Sequence, residues 1–404
     1  MSEVMNIPKL RFPEFSGGWE WKKLGEVFSL NSKSIKPYEF PDEIFHYYNL
    51  PSYDEHGNYI EIKGGAIQSN KTLLPVDCIL VSKLNPRKPR IMLVEKKGKR
   101  RCSSTEFMSY VPMTHELDLG FYKFFFFSNL FQNRLQQVAT GSTNSHVRAS
   151  PKETLKWKIP TLPLLEQQKI ASFLTEVDTK IELLSKKQTL LGKYKKGLMQ
   201  QIFSQAIRFK ADDGSLFPDW NSGKLGNYGN LINGLTYSPD NIVNKGLLVL
   251  RSSNIQNGRI SLNDKVYVSL EVRSEALTRE DDILICVRNG SKRLIGKSTI
   301  INKNMPKSTH GAFMTVFRGE SNKFISHWFQ SSIYYKEVHK NLGATINSIN
   351  GSDLKKFKTI FPTKPEQIKI ANFLTSIDNK IKEVNRQLDE VKQFKKALLQ
   401  QMFV

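Results

Sequence analysis

Cysteine, long apolar runs and acidic side chains are all scarce in this chain. Three cysteines, Cys78, Cys102 and Cys286, occur among 404 residues with no paired spacing. That argues against a disulfide framework or a cysteine-based zinc cluster and suits a reducing, cytoplasmic setting. No apolar run approaches the roughly 18 residues of a membrane span. The most apolar stretch, residues 120–130 with phenylalanine at each position from 124 to 127, fits a buried helix or strand. The opening MSEVMNIPKLRF lacks the charged-then-apolar pattern of a signal peptide. Asp and Glu number 38 against 60 Lys and Arg, a net charge of +22 with pI near 9.7. Such a balance favours a polyanionic partner, nucleic acid ahead of a ribosome or membrane surface.

Catalytic signatures are missing too. The stretch GSKRLIGKS at 290–298 has five residues between its glycines where a phosphate-binding loop needs four. There is no glycine-rich dinucleotide fingerprint, and no Asn-Pro-Pro-aromatic or Asp-Pro-Pro-Tyr tetrapeptide of the kind amino-methyltransferases use. Histidines at 46, 56, 115, 146, 310, 327 and 339 show no metal-ligand spacing. The carboxylate pairs Asp281, Asp282 and Asp212, Asp213 fall at strand starts or turns, where acidic residues need no catalytic explanation. The expectation is a chain with no active site, metal or cofactor of its own. The competing classes are a nuclease or methyltransferase fused to recognition domains, and a coiled-coil adaptor without sequence preference.

What the chain does have is a long internal repeat. EQQKIASFLTEVDTKI at 166–181 returns as EQIKIANFLTSIDNKI at 366–381, identical at eleven of sixteen positions. A period of about 200 residues is far beyond solenoid repeats and implies tandem domains. The likeness continues at Lys195, Lys196, Leu198, Gln200, Gln201 and Phe203 against Lys395, Lys396, Leu398, Gln400, Gln401 and Phe403. Upstream, the copies correspond at their edges, Phe12, Pro13 with Phe217, Pro218, Trp19 and Lys23, Leu24, Gly25 with Trp220 and Lys224, Leu225, Gly226, and Gly141, Ser142, Thr143 with Gly343, Ala344, Thr345; between them only fragments match, such as Ile79, Leu80 with Ile283, Leu284. A shared frame holds divergent contents.

The repeated segments read as helices. In the second copy Ile370, Leu374, Ile377, Ile381, Val384, Leu388, Val391 and Leu398 step by four and three, a coiled-coil seam. Ile170, Leu174, Val177, Ile181, Leu184, Leu191 and Leu198 take the same register in the first. Each helix starts beside a proline, Pro163 or Pro365, with Glu166 or Glu366 in the first turn where the dipole favours negative charge. At about 38 residues each, the helices would be roughly 57 Å long. Lys195, Lys395 and Gln188 interrupt the seam. Either these polar residues fix the pairing, or the lysines snorkel to solvent while Tyr194 and Phe394 take over the packing. The expected fold class is α+β: two globular α/β domains separated by a pair of long antiparallel coiled-coil helices, pseudo-two-fold symmetric. The boundaries are 1–160 and 206–362 for the domains, 161–205 and 363–404 for the helices.

The divergent regions carry the candidate binding residues. Predicted buried strands at 77–82 and 282–287 each lead into a basic loop. Lys83, Asn85, Arg87, Lys88 and Arg90 lie in the first, Arg288, Asn289, Lys292 and Arg293 in the second. Arginine and asparagine make paired hydrogen bonds to guanine and adenine edges, while lysine mostly holds phosphates. Lys96, Lys97 and Arg100 form a denser basic run suited to phosphate. Ser142, Thr143 and Asn144, the corresponding Thr345, and Arg251 with Asn254 complete the set, along with Tyr47, Tyr48 and Asn49. Solvated surface charge, polar turns and core tyrosines are the bland alternatives.

The ordering of these motifs resembles the specificity subunits of type I restriction-modification systems. The resemblance rests on the PxxEQ helix start at Pro163 and its counterpart near Glu366, the helix ends LMQQIF and LLQQMF, and the segments that run from Trp19 to Gly25 and from Trp220 to Gly226. It departs at Thr363, which stands where the first copy has proline. The resemblance implies two target recognition domains, each reading half of a split asymmetric site in double-stranded DNA. It further implies helices that dock two methyltransferase subunits, with two restriction subunits joining them and no membrane involvement. S-adenosylmethionine, ATP and magnesium would then sit on those partners.

Overall fold

A computed structural model describes residues 7–139, 147–342 and 347–403. The chain forms two compact units, Met1–Ser185 with Arg386–Val404, and Lys186–Asn385. The division cuts both long helices, Leu164–Phe203 and Lys364–Gln401. Each unit therefore owns one globular domain, the early turns of the helix that follows it and the late turns of the other helix. The helices start 200 residues apart, so the missing proline at Thr363 shifts nothing: Pro365 sits in the first turn, where its absent N–H is harmless.

The globular parts share one plan. In the first unit strand Glu20–Lys23 pairs antiparallel with Lys158–Thr161, and in the second Asn221–Lys224 pairs with Lys358–Phe361. The glycine two residues beyond each entering strand sits in a close approach: a Cβ on Gly25 would lie 3.2 Å from the Leu155 carbonyl oxygen, and one on Gly226 3.3 Å from that of Lys355, tighter than most such contacts. Next comes a four-stranded antiparallel sheet. Its order is Phe28–Leu30, Phe107–Pro112, Cys78–Ser82, Ile91–Val94 in one unit and Asn230–Asn233, Met314–Arg318, Ile283–Cys286, Ser298–Ile300 in the other. The correspondence of Ile79, Leu80 with Ile283, Leu284 holds in this register. A further sheet contains one parallel pair in each unit, Ile44–Tyr48 with Arg100–Ser103 and Leu247–Leu250 with Ser308–His310.

The four phenylalanines lie in helix Leu119–Phe127, and Phe124, Phe125 and Phe126 are buried. Ile170, Leu174 and Val177 join that domain's core, as do Leu398, Met402 and Phe403 from the end of the second long helix. Phe403 meets Trp19, Phe121 and Phe125. In the second unit Ile370, Leu374 and Ile377 share a core with Met199, Ile202 and Phe203, and Phe203 meets Trp220 and Phe324. The seam residues at the helix starts thus serve the domain core as well as helix pairing. A purely coiled-coil reading does not capture this.

Early turns of one helix lie antiparallel to late turns of the other within each unit, and charge fixes their register. Lys195 Nζ reaches Asp378 at 2.8 Å and Gln330 at 2.9 Å. Lys395 pairs with Asp178, the same contact with the copies exchanged. Neither lysine snorkels away, and Tyr194 and Phe394 stay exposed rather than taking over the packing. Gln188 likewise meets Asn385. The surroundings of the two ion pairs differ. Lys395 lies over the rings of Phe124 and Phe127, at 5.4 and 5.7 Å, whereas Lys195 has His327 and Gln330 nearby. His327 Nε2 is 3.2 Å from the Thr375 hydroxyl, and Nδ1 is 3.8 Å from Asp378. Burial, reinforced by the Lys195 charge, pushes the His327 imidazole down to about 4.

Two outcomes are expected. Reversing Lys195 to Asp should lower stability by about 1–2 kcal/mol, between the exposed and buried limits for ion pairs, and adding Asp378→Lys should recover most of that loss in chemical denaturation. The His327 value in the folded chain lies below the ordinary 6.5. The unfolded state therefore takes up the proton first, and the contribution is complete above 6.5 and lost as pH falls toward about 4. Thermal melts over that range should show the second unit losing up to about 3 kcal/mol. His327→Phe should flatten the dependence; an unchanged slope would refute the assignment.

Candidate nucleic-acid interface

In the first unit the hairpin of Cys78–Ser82 and Ile91–Val94 turns through the basic loop 83–90. The chain emerging after residues 140–146 returns to this loop: Asn85 N–H donates to the Val147 carbonyl at 2.9 Å, and Ala149 N–H to the Lys83 carbonyl at 3.0 Å. The second unit repeats the arrangement. Asn289 N–H donates to the Asn347 carbonyl at 3.2 Å, and Ile349 N–H to the Val287 carbonyl at 2.9 Å. Two segments widely separated in sequence, the basic loop and the chain that follows residues 140–146, or 343–346 in the second unit, therefore meet at one end of the sheet. Ser142, Thr143, Asn144 and Thr345 themselves lie outside the described residues.

A third strand of this frame is also shared. Lys83 N–H donates to the Glu106 carbonyl at 2.9 Å, and Val287 N–H to that of Phe313 at 3.0 Å. Glu106 corresponds to Phe313, Leu84 to Arg288 and Arg148 to Ser348. The side chains differ in kind. Arg148 grips Glu106 through two bonds, at 3.0 and 2.9 Å. Arg288 instead lies over the Phe313 ring, its guanidinium 5.7 Å from the centroid. Sequence comparison missed Glu106, Arg148 and Phe313 because their correspondence lies in backbone bonding.

The candidates divide by environment. Arg288, Lys292 and Arg293 are exposed and make no ion pair among the described residues. Asn289 is held from both ends, its Nδ2 donating to the Ser252 hydroxyl at 3.0 Å and its Oδ1 accepting from Ser291 N–H at 3.0 Å. Lys83 and Asn85 are half-buried and Arg87 is exposed; Asn85 adopts a left-handed backbone with φ 48°, which asparagine tolerates better than most residues.

Other candidates are committed internally. Arg90 is buried and grips Asp54 at 2.8 and 2.9 Å, with Lys88 also on Asp54 at 2.9 Å. Hydrogen bonds from Arg90 chiefly hold the Asp54 carboxyl down to about 2. Asn254 is wholly buried, donating to the Ser261 and Asp264 carbonyls at 3.0 and 2.7 Å and accepting from Arg251 N–H. Arg251 pairs with Asp264 at 2.7 Å. Tyr48 is core, Tyr47 is half-buried, and Asn49 caps helix Leu50–His56.

The dense basic run lies apart from the basic loop. Strand Ile91–Val94 carries the chain back from the loop, so residues 95–99 lie at the opposite end of the hairpin. Lys97 pairs with Glu95, Lys99 with Glu61 at 2.7 Å, and Arg100 with Glu43 at 3.1 Å while stacking over Phe40. Lys96 is exposed beside this cluster. The run and the loop therefore do not form one continuous basic edge. The three thiols are buried, which pushes Cys78 and Cys286 up to about 11 and Cys102 to about 12. Among the described residues no helix is long and apolar enough to cross a membrane.

The family described as type I restriction modification DNA specificity domain matches the chain twice, over residues 16–192 and 218–393. The StySPI specificity subunit of Salmonella potsdam is 29% identical over 201 residues, covering 46% of this chain and 43% of that protein. The MjaVIII specificity subunit of Methanocaldococcus jannaschii is 26% identical over 292 residues, 68% of this chain and 67% of the other. The alignment thus spans less than half the length of the first of these relatives. In fold, the chain is similar to the crystal structure of a type I restriction-modification S subunit from M. genitalium, with TM-score 0.62 at 15% identity over 98% of this chain and 99% of that one. A chain from a structural study of complex assembly and conformational transition of the type I R-M system gives TM-score 0.57 at 20% identity, covering 96% and 97%. With both copies matched and the shared frame present in each, this chain belongs to the type I restriction-modification DNA specificity family.

Proposed function

We propose that the chain reads a bipartite, asymmetric DNA sequence, one half per globular domain, and docks methyltransferase subunits through its long helices. The observation that carries this reading is the repeated frame at the sheet end, which shares three backbone hydrogen bonds between the units and differs in side chains. Two readers of different half-sequences need that combination. A net charge of +22 supplies the sequence-independent attraction to phosphates. In this reading restriction subunits complete the assembly, partner subunits bring S-adenosylmethionine, ATP and magnesium, and this chain performs no chemistry itself.

The helices then act as a ruler. Two readers on one face of a duplex address half-sites about one helical turn apart, roughly 34–36 Å. Seven residues inserted in both helices, beside residue 186 and beside residue 386 where the two insertions face each other across the seam, would preserve the seam and add about 10 Å, close to three base pairs. Methylome sequencing should show both half-sequences unchanged and a longer unread spacer. Altered half-sequences at a fixed spacing would sink the proposal. Incubated alone with DNA, magnesium, ATP and S-adenosylmethionine, the purified chain should neither methylate nor cleave; turnover by this chain would identify it as an enzyme.

A further inference from the structure

The frame at the sheet end carries two unlike side-chain pairs at corresponding positions, Glu106 with Arg148 and Phe313 with Arg288. Arg148 and Glu106 form an exposed two-bond pair whose side chains are 45% and 24% accessible. Exposed ion pairs contribute little to stability, so folding alone gives weak reason for one at this position. At the corresponding place the second unit has Phe313, a large apolar side chain left 57% exposed, with Arg288 over its ring and no carboxylate on that arginine among the described residues.

We infer that Glu106 with Arg148, and Phe313 with Arg288, set the base preference of the two half-sites, by different chemistry on one backbone frame. This deepens the proposed reading of DNA and rests on it. An arginine fork matches the O6 and N7 acceptors of guanine, and a carboxylate accepts from the cytosine amino group. Arg148 and Glu106 hold each other at an exposed position, and opening that pair on contact with DNA would turn the guanidinium fork and the carboxylate to the donor and acceptor roles that one G·C pair requires across the major groove. In the second unit the exposed ring of Phe313 offers an apolar contact to a thymine methyl, and Arg288 beside it supplies a fork for a neighbouring guanine. Shared backbone bonds hold both sets: Lys83 to Glu106 and Asn85 to Val147 in one unit, Val287 to Phe313 and Asn289 to Asn347 in the other. The side chains can therefore differ without moving the frame.

The test is methylome sequencing of a host without other methyltransferases that expresses the full chain with its modification subunits. Glu106→Ala with Arg148→Ala should relax one G·C position in one half-site, about ten- to a hundred-fold in preference, leaving the other half and the spacer unchanged. Phe313→Ala should relax a thymine position in the opposite half only. A variant that methylates the unaltered motif, or alters both halves together, overturns the assignment. Should the double variant lose all methylation, Arg148→Lys decides, because it keeps the charge and removes the fork: relaxation at one position supports the inference, and an unchanged motif overturns it. A wild-type complex that methylates no split motif would instead defeat the underlying reading of DNA, a result distinguishable from either variant outcome.

Discussion

A carboxylate buried in the first turn of each long helix holds the rest of each unit in place. Glu166 accepts two bonds from Arg11, at 2.7 and 2.8 Å, and one from the Trp19 indole at 3.2 Å. Glu366 does the same with Arg208, at 2.9 and 3.0 Å, and with Trp220 at 3.1 Å. A buried charge is tolerated only when paired and hydrogen-bonded. Here the partners arrive from the segment that leads into the domain, so satisfying the charge ties that segment to the helix. The pairing also holds the Arg11 and Arg208 guanidiniums above their ordinary values, chiefly through the hydrogen bonds. Gln167, the next residue, donates to the Leu162 and Glu116 carbonyls, and Gln367 to the Pro362 carbonyl. The Glu-Gln pair thus joins strand, helix and leading segment at a single point.

With that joint fixed, the remaining structure separates into parts that must match and parts free to differ. The paired entering and leaving strands, the four-stranded sheet and the exchanged Asp-Lys contacts recur in both units. The additional sheets do not match strand for strand, and the loop ends carry unlike side chains.

Much of this was legible in the sequence, for identifiable reasons. The helices, their register and their first buried positions were readable because periodicity survives divergence. The core role of Phe203 and Phe403 was not, since a residue at a helix end does not reveal which domain it enters. Glu166 and Glu366 read naturally as dipole partners; their arginines lie over 150 residues away. The correspondence of Phe12 with Phe217 is only half of the relation. Phe12 packs edge-on against Phe173, as Phe209 does against Phe373, while its contact with Lys169 corresponds to that of Phe217 with Lys369. One residue in the first copy does the work of two in the second. Among the binding candidates, Arg90, Arg251 and Asn254 were indistinguishable from surface residues because Asp54 and Asp264, which hold the two arginines, and the carbonyls that occupy Asn254 are set by the tertiary fold.

The exchange of helix ends also bears on synthesis. Leu398, Met402 and Phe403 belong to the same core as Trp19 and Phe121, yet the ribosome makes them only after the whole of Lys186–Asn385. At about 5–20 residues per second those 200 residues take roughly 10–40 s. During that interval the first domain stands with its aromatic core unclosed, while the second, whose Met199, Ile202 and Phe203 precede it in the chain, receives its borrowed helix end before its own sheet exists. The N-terminal unit is thus the last to receive all of its core residues, although its own sheet is made first.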